Sequence, residues 1–143
     1  KYLQMIWGII IAIVVVFIGS GLIQNSKDSQ DLAGRKLEEK FNVIVNIINN
    51  AAFENEGVIK EYDNKHICLI KPGENQMIEL MYNQGTLTII WKYKYFQKEL
   101  IHEKSFLNMR NLSIFEQEKI AEGFISEMNY KIEKHKEFVM KDF

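Results

Sequence analysis

The side chains in this sequence that are best suited to chemistry are three histidines and one cysteine. His66 and Cys68 would share a face on a β-strand, where they could supply two metal ligands or a thiol with a base beside it. His102 and His135 stand far from this pair in the chain. A structural zinc site needs four ligands, and a Cys–His nucleophile needs an orienting group and an oxyanion hole. The sequence therefore predicts no catalytic residue, no metal site and no cofactor.

Charged and aromatic residues alternate in the stretch WKYKYF, which begins at Trp91. Aromatics that stack on bases and lysines that hold phosphates would converge on one exposed face, whereas this alternation separates them. With a net charge of −1 the chain also has no strong field to attract a polyanion, so we expect no nucleic-acid partner. The ordinary interpretation of Lys92 and Lys94 is an exposed strand face. The alternative is contact with anionic lipid headgroups.

An apolar segment occupies the N-terminal part of the chain, and no charged residue occurs between Tyr2 and Ser26. Ile6–Ile23 comprises 18 residues, which as a helix would cover about 27 Å, close to the hydrocarbon thickness of a bilayer. Trp7 could anchor one end at the interface. Because the apolar run is longer than the core of an ordinary signal peptide, we expect a retained single span over residues 1–23. A polar tether, QNSKDSQD, follows over residues 24–31.

Small or slim side chains recur every fourth residue of this predicted span, at Gly8, Ala12, Val16 and Ser20. Such a line lets a second helix approach closely, which is how membrane helices associate without a hydrophobic drive. Glycine and alanine are also common in spans that associate with nothing. The pattern makes these four positions a candidate packing face for self-association or for a partner helix.

The basic residues are unequally distributed about the predicted span. Lys27, Arg35, Lys36 and Lys40 follow it closely, whereas Lys1 alone precedes it. Under the positive-inside rule this places the C-terminal domain in the cytoplasm. A single cysteine, which excludes an internal disulfide, fits a reducing compartment.

The remaining residues, 32–143, are enough for one small domain with its own core. Asp31 is a candidate N-cap for an amphipathic helix that reaches about Phe53. Apolar residues recur in this stretch at spacings of three and four, which is the period of a helix with one buried face. These residues are Leu37, Phe41, Ile44, Val45, Ile48 and Ala52.

Five β-prone runs separated by turn residues follow this helix, at 57–62, 66–71, 76–82, 86–96 and 97–106. In the longest run, alternation predicts that one set of side chains faces the core and that the other faces water. The predicted core set is Leu87, Ile89, Trp91, Tyr93 and Tyr95, and the opposite set is Thr86, Thr88, Ile90, Lys92 and Lys94.

A capping box at Ser113 and Glu116 begins the last predicted helix, which runs to about Phe138. Its apolar stripe contains Ala121, Phe124, Ile125, Met128 and Ile132. Two amphipathic helices that cover one face of an antiparallel meander of four or five strands make an α+β two-layer domain.

These features favour a non-enzymatic, single-pass membrane-anchored domain that binds a protein partner or serves a membrane complex. One alternative is a membrane-surface enzyme that uses His66, Cys68 or His102. The order of span, helix and meander also resembles type IV pilin-like subunits in outline, and a pilin-like structural subunit is the other alternative. Such subunits are expected to begin with an aromatic residue and to carry an acidic fifth residue, where this chain has Lys1 and Met5.

Overall fold

The structure is a computed structural model and describes Tyr2, residues 10–13, Val15, Leu32 and residues 34–143. Tyr2, residues 10–13 and Val15 are helical. Within this described part of the chain, no helix is long and apolar enough to cross a membrane. The predicted tether lies outside the described residues, and so does most of the predicted span.

The described residues from Gly34 onward form an α+β domain, as the sequence predicts. Five antiparallel strands pair with one another in chain order, so the sheet is a simple meander. The elements in order are α1 (Leu37–Lys40), α2 (Asn42–Phe53), β1 (Val58–Asp63), β2 (His66–Ile70), β3 (Gln76–Asn83), β4 (Thr86–Tyr95), β5 (Lys98–Phe106) and α3 (Ile114–Met140).

The first predicted helix is interrupted, in contrast to the single helix expected from the apolar spacing. Gly34 has a φ of +74°, and residues 34–36 are not helical, so α1 begins only at Leu37. Phe41 then leaves the helical region with a φ of −105°. Its ring packs against the ring of Tyr82 with centroids 5.3 Å apart. The packing of Phe41 on the sheet therefore outweighs the local preference for one continuous helix.

The core lies between the helices and one face of the sheet. On β4 the predicted alternation is confirmed, because Leu87, Ile89, Trp91 and Tyr93 are buried while Lys94 is exposed. The other predicted members of both sets are half-buried, namely Tyr95 on the core side and Thr86, Thr88, Ile90 and Lys92 on the opposite side. Both helical stripes point into the same core, although their outermost members are only partly buried. Residues on the stripes that are fully buried include Phe41, Ile44, Val45, Ile48, Ala121, Phe124 and Met128.

The predicted capping box at the start of α3 is present. The Ser113 hydroxyl accepts a hydrogen bond from the backbone N–H of Glu116 at 3.2 Å. The Glu116 carboxylate accepts one from the backbone N–H of Ser113 at 2.9 Å, and this bond lowers the pKa of Glu116. A helix of 27 residues thus begins at a defined position and crosses the sheet along β4 and β5.

The polypeptide enters the domain at one end of the sheet, which we call the proximal end. The β1–β2 turn, the β3–β4 turn and the loop 107–113 gather there around α1. The ammonium of Lys40 donates to the carbonyl of Arg110 at 2.7 Å, and the N–H of Met109 donates to the carbonyl of Gly85 at 2.8 Å. The opposite, distal end holds the β4–β5 turn and the last turn of α3.

Leu32 fixes the point of entrance to the domain. It is buried in the core cluster and shares the lining of one cavity with Asn64, which lies in the β1–β2 turn. Lys36, four residues later, forms an ion pair with Glu61 at 3.5 Å near the end of β1. The described chain that leads into α1 therefore runs along the proximal end.

Candidate functional site

His102 lies on the helix-covered face of β5, beneath α3. Its ring stacks on Phe124, with centroids 4.6 Å apart. One ring nitrogen, Nε2, lies 3.1 Å from the carboxylate of Glu127, and the other, Nδ1, lies 2.8 Å from the ammonium of Lys131. The second oxygen of Glu127 accepts from Lys104 at 2.6 Å. Four charged or polar side chains therefore form one network at the edge of the core.

This network fixes the protonation state of His102. Burial lowers the pKa of the imidazole, and the positive charge of Lys131 lowers it further, against the opposing effect of Glu127. An ammonium can only donate, so Nδ1 must accept from Lys131 while Nε2–H donates to Glu127. Both nitrogens of a neutral ring are then occupied, so His102 has no lone pair left with which to act as a general base.

Cys68 lies on the opposite face of the sheet, which no helix among residues 34–143 covers and which we call the open face. The thiol side chain is nevertheless 0% exposed. A β-bulge in β1 at Tyr62 brings the aromatic ring to within 4.7 Å of the His66 ring, and the tyrosine hydroxyl interacts with the thiol. Burial raises the pKa of the Cys68 thiol, and the nearby Glu79 raises it further. A buried thiol with a raised pKa is the opposite of an activated nucleophile.

Glu79 is the centre of the charged group on the open face. One of its oxygens lies 3.5 Å from Nε2 of His66, and the other lies 3.4 Å from the ammonium of Lys92. Lys92 and Lys94 line a cavity of about 270 Å³ together with Glu99. Carboxylates thus accompany both lysines, and their contact with anionic lipid stays a prediction.

The groups considered for catalysis are not brought together. His66 and Cys68 lie on the open face of β2, whereas His102 lies on the covered face of β5. The sheet separates the two sets. Within the described part of the chain, no group of three or more acidic, histidine or cysteine side chains is placed to hold a metal ion.

The open face is more apolar than the sequence suggests. One cross-strand row contains Val58, Ile70, Met77 and Ile101, with Lys92 as its charged member. Val58 is 58% exposed and Ile101 is 50% exposed. The neighbouring rows add the partly exposed Met81 and Ile90 and the exposed Tyr62.

The prediction that this face is polar and solvated came from the lysines and threonines of β4 alone. The run QMIELMY in β3 indicated an apolar open face, because it has apolar residues at both odd and even positions and therefore on both faces of the strand.

An apolar groove of about 610 Å³ separates the end of β5 and the following loop from the first half of α3. Gly123 lies in its wall, and a Cβ added there would meet no atom within 4 Å. A glycine inside a helix costs about 1 kcal/mol relative to alanine. Gly123 was therefore a signal in the sequence that this surface of the helix differs from an ordinary one. Apolar lining residues include Phe106, Leu107, Met109, Leu112, Ile120 and Phe124, and the charged ones are Lys104, Glu116 and Lys119.

The predicted packing face of the span is described at one position only. Ala12 is helical and exposed. Gly8, Val16 and Ser20 lie outside the described residues, so association through this face stays a prediction.

Comparison with protein-family models, with curated proteins and with solved structures found no match. The function is therefore inferred from the surfaces of the chain itself.

Proposed function

We propose that this chain is a non-enzymatic, single-pass membrane-anchored protein-interaction domain, an accessory of a membrane complex, whose protein partner docks on the open face of the sheet. One observation carries the proposal. A cross-strand row places apolar side chains on four of the five strands of this face, with Lys92 as its member on β4, and stays accessible at both ends, at Val58 and Ile101.

The two edge strands of the sheet are charged, which disfavours pairing with a strand of a partner and leaves the open face as the surface for binding. An unpaired edge strand invites another strand, and charged side chains on the edge discourage that pairing. Lys60, Glu61 and Asp63 lie on β1, and Lys98, Glu99 and Glu103 lie on β5. The sheet is thus protected against extension by a second strand, while its open face keeps the apolar row.

The composition of the open face suits specific recognition. Methionine is enriched in protein interfaces and adapts its shape to a partner, and Met77 and Met81 stand near the middle of this face. Charges of both signs are interspersed among the apolar residues, at Lys60, Glu79 and Glu103 in one cross-strand row. Such a pattern selects a partner with complementary charges.

The anchor is supported by the uncharged apolar sequence from Ile6 to Ile23 and by the helical state of the described residues 10–13. The apolar residues among these, Ile10, Ile11 and Ile13, are exposed in the isolated chain. We extend the proposal to a cytoplasmic domain, from the distribution of basic residues, and to helix association through Gly8, Ala12, Val16 and Ser20.

The alternative functions are less well supported. An enzyme could use His66, Cys68 or His102, but the sheet separates His102 from the other two, and the Cys68 thiol is buried with a raised pKa. A pilin-like subunit would need its N-terminal helix unbroken through residue 31, and only isolated stretches of that region are described.

The test of the anchor is carbonate extraction of the full chain from membranes. We expect the protein to stay in the membrane pellet, because a span of apolar residues is not released by breaking ionic contacts. Release into the supernatant would contradict the anchor.

The test of the docking face is capture of partners from detergent-solubilised membranes with three variants as bait. Ile101→Glu and Met77→Glu place a charge in the apolar row, and Tyr130→Glu, on an exposed turn of α3, is the matched control. We expect the same partner to be bound by the unaltered chain and the control and lost with both open-face variants. The proposal is contradicted if all baits retain it or if the unaltered chain binds none. Circular dichroism verifies that each variant is folded.

A further inference from the structure

Three large apolar side chains are exposed at the proximal end. Leu107 is 71% exposed, Ile114 is 66% exposed and Phe115 is 68% exposed. Leu107 ends up outside because Asn108, with a φ of +59°, turns the chain so that the next residue, Met109, enters the core. Fully burying such a side chain gains roughly 1.5–3 kcal/mol, so an apolar surface that covers these three side chains would be bound favourably.

These side chains flank the apolar groove, which enlarges the apolar area at the same end. Leu107 lines the groove from the loop, and Glu116 and Lys119 line it from the first turns of α3, next to Phe115. The loop and the start of α3 therefore place three exposed apolar side chains at one end of the domain, and we call Leu107, Ile114 and Phe115 together the proximal patch.

The route of the chain determines what this patch meets first. The tether comprises eight residues, which even when fully extended span at most about 29 Å. The tether joins the domain at Leu32, on the proximal end. The distal end is one strand further away, and the ten residues of β4 measure about 33 Å. A bilayer that holds the apolar N-terminal segment is thus constantly close to the proximal end, and tethering raises its effective concentration there.

We propose that the proximal patch lies on the bilayer, with Leu107, Ile114 and Phe115 at the boundary between headgroups and acyl chains. This inference rests on the membrane anchor of the proposed function. The bilayer interface favours aromatic side chains, and lysines beside them extend toward the headgroups. The ammonium of Lys119 lies 5.8 Å from the centre of the Phe115 ring, so this lysine stands beside the patch. The one carboxylate in the groove, Glu116, is engaged in the helix cap.

Docking in this orientation leaves the partner surface accessible. The open face extends along the strands from the proximal end to the distal end. When the proximal end rests on the bilayer, this face therefore stands roughly perpendicular to the membrane plane and faces water. The domain would then be held at a fixed height and tilt, which reduces the rotational freedom lost when a partner binds.

The experiment uses the full chain in vesicles of phosphatidylcholine and phosphatidylglycerol at a ratio of about 3:1, an anionic surface of the kind that attracts lysines. A fluorophore is attached at Leu107→Cys or Phe115→Cys, with Phe96→Cys at the distal end as the control. Phe96 is also highly exposed, so the three positions label alike in solution, and Cys68 is buried and protected. The lipid carries a spin label high in the acyl chain, which quenches only fluorophores at the interface.

We expect severalfold stronger quenching at Leu107→Cys and Phe115→Cys than at Phe96→Cys. Equal quenching at the two ends would overturn the inference.

A carbonate wash of the same vesicles separates the two levels of the argument. If the wash extracts the chain, the anchor itself is wrong. If the chain is retained and the proximal labels stay unquenched, the anchor stands and only the docking of the proximal patch is wrong.

Discussion

Side chains alternate between the two faces of the sheet, but the apolar side chains of the two faces are buried to different degrees. On the covered face, Ile89 and Trp91 are buried, and the Trp91 ring packs on Phe124 with centroids 6.3 Å apart. On the open face, Ile90 and Met77 remain only partly buried although they are just as apolar. The alternation therefore determines which residues share a face, whereas the helices determine which face is sealed. None of the helices in the described part of the chain seals the open face, so its apolar side chains stay accessible there.

The largest expected difference between the two faces is in packing. Trp91→Ala should lower the free energy of unfolding by about 3–5 kcal/mol, because it leaves a cavity beneath α3. It also removes the hydrogen bond that the indole N–H donates to Gln76 at 2.9 Å. Ile90→Ala, one residue earlier, should lower the free energy of unfolding by about 1 kcal/mol, because the isoleucine side chain is only partly buried in the folded protein. Urea unfolding of the full chain in detergent, followed by circular dichroism, measures both.

Similar losses for the two variants would contradict the comparison, because Ile90 would then be as tightly packed as Trp91. In that case a part of the chain other than the described helices would have to cover the open face. The partner site would then lie elsewhere.

The parts of the structure that sequence predicts are those set by local pattern. The alternation on β4 and the capping box at Ser113 depend on neighbouring residues, and both predictions are confirmed. Glu127 and Lys131 are four residues apart on one helix, a spacing that favours an ion pair between them. In the structure both contact His102 instead, which is 25 or 29 residues away in the chain. No local pattern encodes a contact between a helix and an edge strand.

The candidate surfaces were less predictable than the fold. The apolar character of the open face depends on the register of all the strands, because Val58, Met77 and Ile101 become one row only when β1 to β5 are paired. The burial of Cys68 depends on a bulge at Tyr62 that no turn residue marks. The proposed contact of the proximal patch with the bilayer depends on the position of Leu32 at the same end of the sheet, which is a property of the whole topology.

A smaller difference between the faces is expected in the response to acid. The pKa of His102, on the covered face, is lowered by burial and by Lys131, below the value of about 6.5 for an unfolded chain. Its contribution to stability is therefore fully present above about pH 6.5 and is lost as the pH falls through the folded pKa. We expect the free energy of unfolding to decline between about pH 7 and pH 5, and to decline less steeply in His102→Gln.

His66→Gln is the matched control, because His66 is the histidine of the open face. The measurement is the dependence of unfolding free energy on pH, so a constant loss of stability in either variant does not affect the result. A flattened profile in His66→Gln, or an unchanged one in His102→Gln, would show that the acid response does not come from the covered face.

The smallest expected effect concerns the ion pair of the open face. Lys92→Met keeps the length of the side chain but removes its charge, 3.4 Å from Glu79. Ion pairs at accessible positions contribute about 0–1 kcal/mol, and salt screens them, so we expect a loss of at most about 1 kcal/mol that shrinks in high salt. Lys94→Met, at an exposed position on the same face of β4, should have almost no effect. Urea unfolding at two salt concentrations measures both variants.

A loss of more than about 2 kcal/mol for Lys92→Met that is insensitive to salt would mean that Glu79 is left unpaired in an environment shielded from water. The open face would then be an interior surface of the protein, and a partner could not dock on it.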